Sequence, residues 1–138
     1  MDFSSESLAK NVAVQLRLAS LSDVILGPHG AGLAWSAFMA SGRVLVELMP
    51  HMRALHSQLC RSSDWGSTPM YAYGGLSLLA GIHHICLLGQ AAPGAPSPSP
   101  STALVLELGT WHSSAVRVDV AKLEQVLEES FAYLEGDH

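Results

Sequence analysis

Residues 23–50 read DVILGPHGAGLAWSAFMASGRVLVELMP, and this stretch decides the fold. Two apolar runs, Val24–Leu26 and Val44–Leu48, flank a glycine-rich turn and a further apolar segment. Such runs are typical of strands that are buried on both faces of a parallel sheet. We therefore predict a strand–turn–helix–strand unit, in which a helix at 31–40 joins two neighbouring parallel strands.

Outside this unit, the sequence continues to alternate between helical and extended patterns. The further predicted elements are a helix at 5–20 capped by Ser4 or Ser5, helices at 51–61 and 71–80, a strand at 83–88, a border segment or strand at 103–108, a short extended segment at 116–118 and a last helix capped by Asp119. Helices that alternate with strands indicate an α/β fold around a mostly parallel sheet.

Two of the predicted helices carry an apolar stripe that we expect to be buried. The stripes consist of Leu8, Val12, Leu16 and Ala19 in the first helix and Val120, Leu123, Leu127 and Leu134 in the last.

Between these helices, residues 91–102 read AAPGAPSPSPST. Prolines and serines at this density favour an extended, solvated chain, so we predict a disordered surface insertion there.

Bulk composition narrows the class of protein. The 138 residues suit one domain, 1–138, and 49% hydrophobic against 14% charged residues favours a well-buried core. Seven basic and twelve acidic residues give a net charge of −5, which argues against nucleic-acid binding.

We expect no signal peptide and no membrane span in this chain. Cys60 and Cys86 are expected as buried free thiols, with a bridge or a reactive role as the alternative.

The glycine-rich turn is the first candidate for a binding site. Gly27, Gly30 and Gly32 lie where a strand turns into a helix, where glycine can take a positive φ and lets a ligand approach the backbone. The N–H groups that begin the helix favour an anion such as a diphosphate. The spacing is neither that of the dinucleotide fingerprint nor that of a Walker loop, and the glycines alternatively serve close packing alone.

Two polar residues strengthen the interpretation of the turn as a site. His29 lies inside the turn, where we expect it to reach a phosphate or the sugar. Glu47 interrupts an apolar strand, where we expect it to accept hydrogen bonds from ribose hydroxyls; the alternative is a surface or salt-bridged carboxylate. The candidate binding site comprises Gly27, His29, Gly30, Ala31, Gly32, Leu33 and Glu47.

The remaining polar and aromatic residues are interpreted as structural. His83 and His84 are adjacent on a strand and so point to opposite faces, and His51 and His56 are poorly spaced for one helical face. No protein metal site is predicted. The set of Trp35, Trp65 and Tyr71 is expected in the core, with stacking on a base or sugar as the alternative.

At this point a family resemblance emerges. Residues 23–33, followed by Phe38-Met39 and Val46-Glu47-Leu48, resemble the central motif of glycosyltransferase family 61. Weaker similarity continues at Met70-Tyr71, at 81–85 and at Val118-Asp119-Val120, so that it covers nearly the whole chain outside the proline-rich insertion. The chain departs from the family at Ala34-Trp35, where many members carry Thr-Asn or Thr-His, so a hydroxyl that helps to bind phosphate is missing.

The resemblance implies a GT-B-type enzyme of two Rossmann-like halves, of which this chain supplies the C-terminal, donor-binding half. It implies inverting transfer of a sugar such as GlcNAc or a pentose from a UDP-sugar to a protein or polysaccharide acceptor. In that reading the candidate binding site holds the nucleotide-sugar, and His29 is the candidate that stabilises the leaving group. It also implies a location in the endoplasmic reticulum or Golgi lumen and a separate N-terminal half as partner. No cofactor is expected beyond the UDP-sugar co-substrate; metal dependence and the catalytic base stay open.

Two other functions remain as alternatives. The first is a non-catalytic fragment that keeps the fold of such an enzyme without its activity. The second is a Rossmann-like dinucleotide-binding protein, which the glycine spacing disfavours. Glu47 lies 20 residues after Gly27, close to where that second class places an acidic residue, so the spacing alone does not exclude it.

Overall fold

A computed structural model describes residues 11–49, 73–90 and 116–136. In chain order the elements are helix α1 (Val12–Leu21), strand β1 (Val24–Pro28), a 3-10 helix (Ala31–Phe38), strand β2 (Val44–Met49), helix α2 (Gly74–Ala80), strand β3 (His83–Leu88) and helix α3 (Val120–Glu135). The three strands form one parallel sheet in the order β1-β2-β3, which makes this part of the chain an α/β fold.

The strand–helix–strand unit predicted from residues 23–50 is confirmed. Strands β1 and β2 pair in parallel, with Val24 opposite Val44 and Gly27 opposite Glu47. Strand β3 pairs in parallel on the other side of β2, which places Cys86 opposite Glu47. Strand β2 is therefore central, and all six of its residues are buried, including Glu47 within its otherwise apolar run.

Helices cover both faces of the sheet, and the side chains of β2 alternate between two cores. On one face Leu45 packs with residues of α1, the 3-10 helix and the segment after α2; this core contains Ala19, Ile25, Leu33, Met39, Leu45 and Ile82, with Trp35 packed against it. On the other face Val44, Val46 and Leu48 pack with β3 and with Leu123, Val126, Tyr133 and Leu134 of α3. Trp35 is thus half-buried against the core that we expected it to join.

The helix joining β1 to β2 differs from the prediction in type and length. It is a 3-10 helix that ends at Phe38, with Met39 as its C-cap, instead of a helix that continues to residue 40. Of the glycines in the described ranges, positive φ occurs at Gly42 and Gly81 and not in the turn before this helix. The expectation of positive φ at the turn glycines is therefore wrong, and Gly42 instead makes the turn into β2.

The two predicted apolar stripes need correction. Helix α1 begins at Val12, with Asn11 as its N-cap, and Val12 is 58% exposed. In α3 the cap at Asp119 is confirmed, since its side chain accepts hydrogen bonds from the N–H groups of Ala121 and Lys122. Val120, however, is 67% exposed, because the packed face of α3 is rotated towards Val126 and Tyr133.

Several other expectations lie outside the described residues. These are the caps Ser4 and Ser5 with Leu8, the helix at 51–61 with His51 and His56, Trp65 and Tyr71, the insertion at 91–102 and the segment at 103–108. Residues 116–118 are described but form no strand. Of the predicted helix at 71–80, the described part is helical from Gly74.

The expected state of the cysteines is wrong for Cys86, which is disulfide-bonded. Its partner in the same chain is not among the described residues; Cys60 is the only other cysteine of the sequence. Cys86 lies in β3 directly opposite Glu47, so the disulfide is attached to the sheet beside that carboxylate.

No helix in the described ranges combines the length and hydropathy needed to cross a bilayer.

A contact between two turns generates the first prediction. Gly81 has φ of +67°, and a Cβ there would lie 2.5 Å from Ser41 Oγ; Gly42 has φ of +80° with open space around it. Gly81→Ala therefore combines left-handed strain with a clash, whereas Gly42→Ala suffers strain alone. We expect Gly42→Ala to lower the free energy of unfolding by about 1 kcal/mol and Gly81→Ala by about 2 kcal/mol or more.

Urea denaturation of the two variants beside the unmodified chain measures this difference. The Ser41 hydroxyl donates to the Gly81 carbonyl at 3.2 Å, so displacing it also removes a hydrogen bond. Equal losses in the two variants would show that the Ser41 contact contributes nothing.

Candidate functional site

The centre of the candidate site is a buried carboxylate. Glu47 lies in the central strand, and its side chain is fully buried. The alternation of side chains along β2 directs it to the face of the sheet that the 3-10 helix and α2 cover. A carboxylate in such a place is costly unless several donors satisfy its oxygens. The chain supplies these donors from the two flanking strands.

Two histidines hold Glu47 from opposite sides. His29 follows the end of β1, and its Nδ1 donates to Glu47 Oε1. His84 lies in β3, and its Nε2 donates to Glu47 Oε2 over 2.8 Å. We call these three residues the Glu47 cluster. Its members lie in β2, in β3 and directly after β1, so the cluster forms only when the sheet has its observed register.

The cluster keeps Glu47 ionised. Burial by itself raises the pKa of the Glu47 carboxyl, but hydrogen bonds from His84 and His29, reinforced by their charge, outweigh burial and lower the pKa below its ordinary value of 4.5. The carboxylate is therefore charged at neutral pH. It acts as a fixed acceptor that determines the orientation of both imidazole rings.

Tyr73 fixes the backbone of the turn. Its hydroxyl donates to the Gly30 carbonyl at 2.6 Å, and its ring lies 5.6 Å from the His29 ring between centroids. Burial, and secondarily the negative charge of Glu47, raises the pKa of Tyr73, so the hydroxyl keeps its proton and remains a donor. Tyr73 precedes α2 and thus ties the start of that helix to the turn.

The start of the 3-10 helix presents backbone N–H groups beside His29. The first hydrogen bond at this end runs from the Leu33 N–H to the Gly30 carbonyl over 3.0 Å. The N–H groups of Ala31 and Gly32 precede that bond, and both residues are exposed. A Cβ at Gly32 would meet nothing within 4 Å, so space is open on that side.

Two members of the predicted site have packing roles. The Leu33 side chain is buried in the core, and its N–H is already donated within the helix. A Cβ at Gly27 would lie 3.1 Å from Leu33 Cδ2, so the absence of a side chain at Gly27 makes room for Leu33. The part of the predicted site that faces outward is therefore His29 with the backbone of residues 30–32.

The role that the sequence suggested for Glu47 does not fit its surroundings. We expected it to accept hydrogen bonds from ribose, yet it is fully buried and both of its oxygens are already bonded to histidines. A ribose would reach Glu47 only by displacing one of them. The structure instead places Glu47 behind His29, whose side chain is 15% exposed.

Sequence reasoning missed two residues of the site. The prediction that His83 and His84 point to opposite faces is confirmed. The His83 ring stacks on the ring of Tyr133 in α3, with 4.1 Å between the ring centroids, whereas His84 forms a hydrogen bond to Glu47. A signal for His84 existed: a buried acid needs donors, and one of two adjacent histidines on the next strand must share its face. Tyr73 carried no such signal.

Within residues 11–49, 73–90 and 116–136, no three His, Cys, Asp or Glu side chains are arranged as a metal ion would require. The contacts of the site are those of one buried carboxylate with two imidazole rings, beside the start of the 3-10 helix. No protein-family model, curated protein or solved structure matches the chain.

The lowered pKa of Glu47 generates a prediction about acid stability. Because its pKa is lower in the folded than in the unfolded chain, Glu47 stabilises the fold fully above about pH 4.5 and loses this contribution as the pH falls through the folded-state value. Glu47→Gln should lower the free energy of unfolding at neutral pH by about 1–3 kcal/mol. The gap from the unmodified chain should narrow below pH 4.5.

The measurement is chemical denaturation at a series of pH values, with Glu124→Gln as the control. Glu124 is an exposed carboxylate of α3, so its variant should follow the unmodified chain at every pH. A gap between Glu47→Gln and the unmodified chain that stays constant down to the acid transition would contradict the lowered pKa.

Proposed function

We propose that this chain is the donor-binding part of an inverting glycosyltransferase and that it holds the diphosphate of a UDP-sugar at residues 29–32. The observation that carries the proposal is the arrangement of His29 beside the exposed residues Ala31 and Gly32, whose N–H groups precede the first hydrogen bond of the 3-10 helix. These groups lie at the carboxyl end of β1, the edge at which parallel α/β sheets bind their ligands.

The chemistry of this edge suits a diphosphate. Backbone N–H groups at a helix start carry partial positive charge and donate hydrogen bonds to an anion without any side chain. Among the described residues, the elements around the turn bring no acidic side chain to it except Glu47, whose charge is bonded to the two histidines. The turn therefore offers donors and little repulsion to an anionic ligand.

In this proposal Glu47 serves His29 and does not contact the ligand. A carboxylate behind an imidazole fixes which ring nitrogen carries a proton and how the ring is turned, and it stabilises the doubly protonated form. His29 thus stabilises charge that develops on the leaving diphosphate. Contacts to ribose and uracil come from residues other than Glu47.

The larger context follows from the family resemblance. A GT-B-type arrangement places the donor between two Rossmann-like domains, so a second domain completes the cleft and delivers a protein or polysaccharide acceptor. The disulfide at Cys86 supports an oxidising compartment such as the endoplasmic reticulum or Golgi lumen, since such bonds are rare in the cytosol. One domain alone is expected to bind UDP weakly and to transfer no sugar.

Titration calorimetry with UDP tests the diphosphate site. Gly32→Val fills the open space beside the turn, and we expect it to weaken UDP binding at least about tenfold while the chain stays folded. Ala37→Val is the matched control, because Ala37 is exposed further along the same helix and its variant should bind UDP normally. Equal UDP affinity in both variants would refute a diphosphate at the turn.

A second comparison separates the role of Glu47 from that of the phosphate site. Because Glu47 acts through His29, Glu47→Gln should weaken UDP and inorganic diphosphate by the same factor, about tenfold or less. A loss confined to UDP would restore direct contact with ribose. Binding of NAD but not UDP would favour the dinucleotide-binding alternative, and binding of neither nucleotide by the folded chain would favour an inert fragment.

A further inference from the structure

Tyr73 contacts both parts of the candidate site from a different element. Its ring lies beside the His29 ring, with 5.6 Å between the centroids, and its hydroxyl donates to the Gly30 carbonyl over 2.6 Å. Tyr73 is the N-cap of α2, and its side chain also packs against the core that contains Leu33. The hydroxyl therefore reaches the turn from a side chain that is anchored elsewhere in the fold.

The Gly30 carbonyl accepts two hydrogen bonds. One comes from the Tyr73 hydroxyl and the other from the Leu33 N–H, over 3.0 Å. A carbonyl oxygen has two lone pairs, so these two donors use its accepting capacity and fix the direction in which it points. Burial, and secondarily the charge of Glu47, raises the pKa of Tyr73, so the hydroxyl keeps the proton that it donates.

The direction of this carbonyl determines the direction of the next N–H group. The Gly30 C=O and the Ala31 N–H belong to one planar trans peptide, in which the two bonds point in opposite directions. Because the carbonyl is turned towards Tyr73 and Leu33, the Ala31 N–H is turned away from them. Ala31 is exposed, and its N–H precedes the first hydrogen bond of the 3-10 helix.

We propose that Tyr73 is a positioning residue: by bonding to the Gly30 carbonyl, it holds the peptide so that the Ala31 N–H is directed outward, where a diphosphate meets it. Two donors on one carbonyl oxygen also polarise the peptide, which makes the Ala31 N–H a stronger donor. The ligand rests on the proposed function. The hold on the peptide is a property of the chain without ligand, and Tyr73 itself contacts no ligand.

A pair of tyrosine variants isolates the hydroxyl. Tyr73→Phe removes the hydroxyl and keeps the ring, so the packing against His29 and the core is retained. Tyr133→Phe is the matched control, because Tyr133 lies in α3 and stacks on His83 at the other face of the sheet. It removes the same group from a position that does not contact the turn.

Nuclear magnetic resonance of the ¹⁵N-labelled chains without ligand tests the hold on the peptide. We expect the order parameter of the Ala31 N–H to be about 0.85 in the unmodified chain and in Tyr133→Phe, and to fall towards about 0.6 in Tyr73→Phe. Residual dipolar couplings should change at the Ala31 N–H in Tyr73→Phe alone and stay the same along β2. Equal order parameters and couplings at Ala31 in all three chains would overturn the proposal.

Titration calorimetry with inorganic diphosphate tests the consequence for the site. We expect Tyr73→Phe to weaken diphosphate binding about fivefold, because a donor to the anion is no longer fixed, and Tyr133→Phe to leave it unchanged. A merely structural Tyr73 would lower the denaturation midpoint and leave the affinity of the folded chain as it was; that result also overturns the proposal. The expected Ala31 spectra without diphosphate binding by any chain uphold the hold on the peptide and refute the donor site.

Discussion

The fold depends on how the charge of Glu47 is accommodated at its centre. A buried carboxylate tolerates no loss of its donors, and these donors come from the strand on either side of it. A slip of one residue in either pairing would turn a histidine away and leave the charge unsatisfied. The Glu47 cluster thus specifies the sheet register more strongly than the apolar side chains around it, which tolerate many alternative packings.

The same constraint connects the fold to the candidate site. His29 is held by a carboxylate of the central strand and lies close to Tyr73, which also bonds to the turn carbonyl. The turn therefore rests on side chains from two other elements, and its geometry does not depend on the glycines adopting unusual backbone angles. A preformed turn loses less conformational entropy when a ligand binds.

Much of the fold was readable from the sequence, because period and composition carry local information. The apolar runs at Val24–Leu26 and Val44–Leu48 predicted two parallel strands, and the structure has them. Their predicted burial holds for β2 throughout, whereas in β1 only Ile25 is buried. What failed depends on tertiary packing. Contacts across the core determine that the connecting helix is of the 3-10 type and that the packed face of α3 leaves Val120 exposed. The helical spacing of apolar residues in the sequence contains no information about these contacts.

The site was predictable as a set of residues but not as a set of contacts. His29 and Glu47 stood out because polar side chains interrupt apolar or glycine-rich patterns. Their pairing with each other, and with His84, depends on which strands are neighbours and in what register. Tyr73 reaches Gly30 across 43 positions of the chain, a distance over which sequence patterns carry no signal.

Pro28 disfavours self-association of the molecule through the edge of its sheet. Among the described strands β1 has one neighbour, so no described strand pairs with its outer edge. The backbone groups of such an edge can pair with a strand of another molecule. The Asp23 carbonyl and the His29 N–H both form hydrogen bonds to β2. The backbone N–H and C=O groups of odd-numbered residues in this strand therefore point towards β2, and those of even-numbered positions such as Pro28 point away from it. A proline there removes a donor from the open edge at no cost to the sheet. An incoming strand from another copy would find its ladder cut short at the end that adjoins the candidate site.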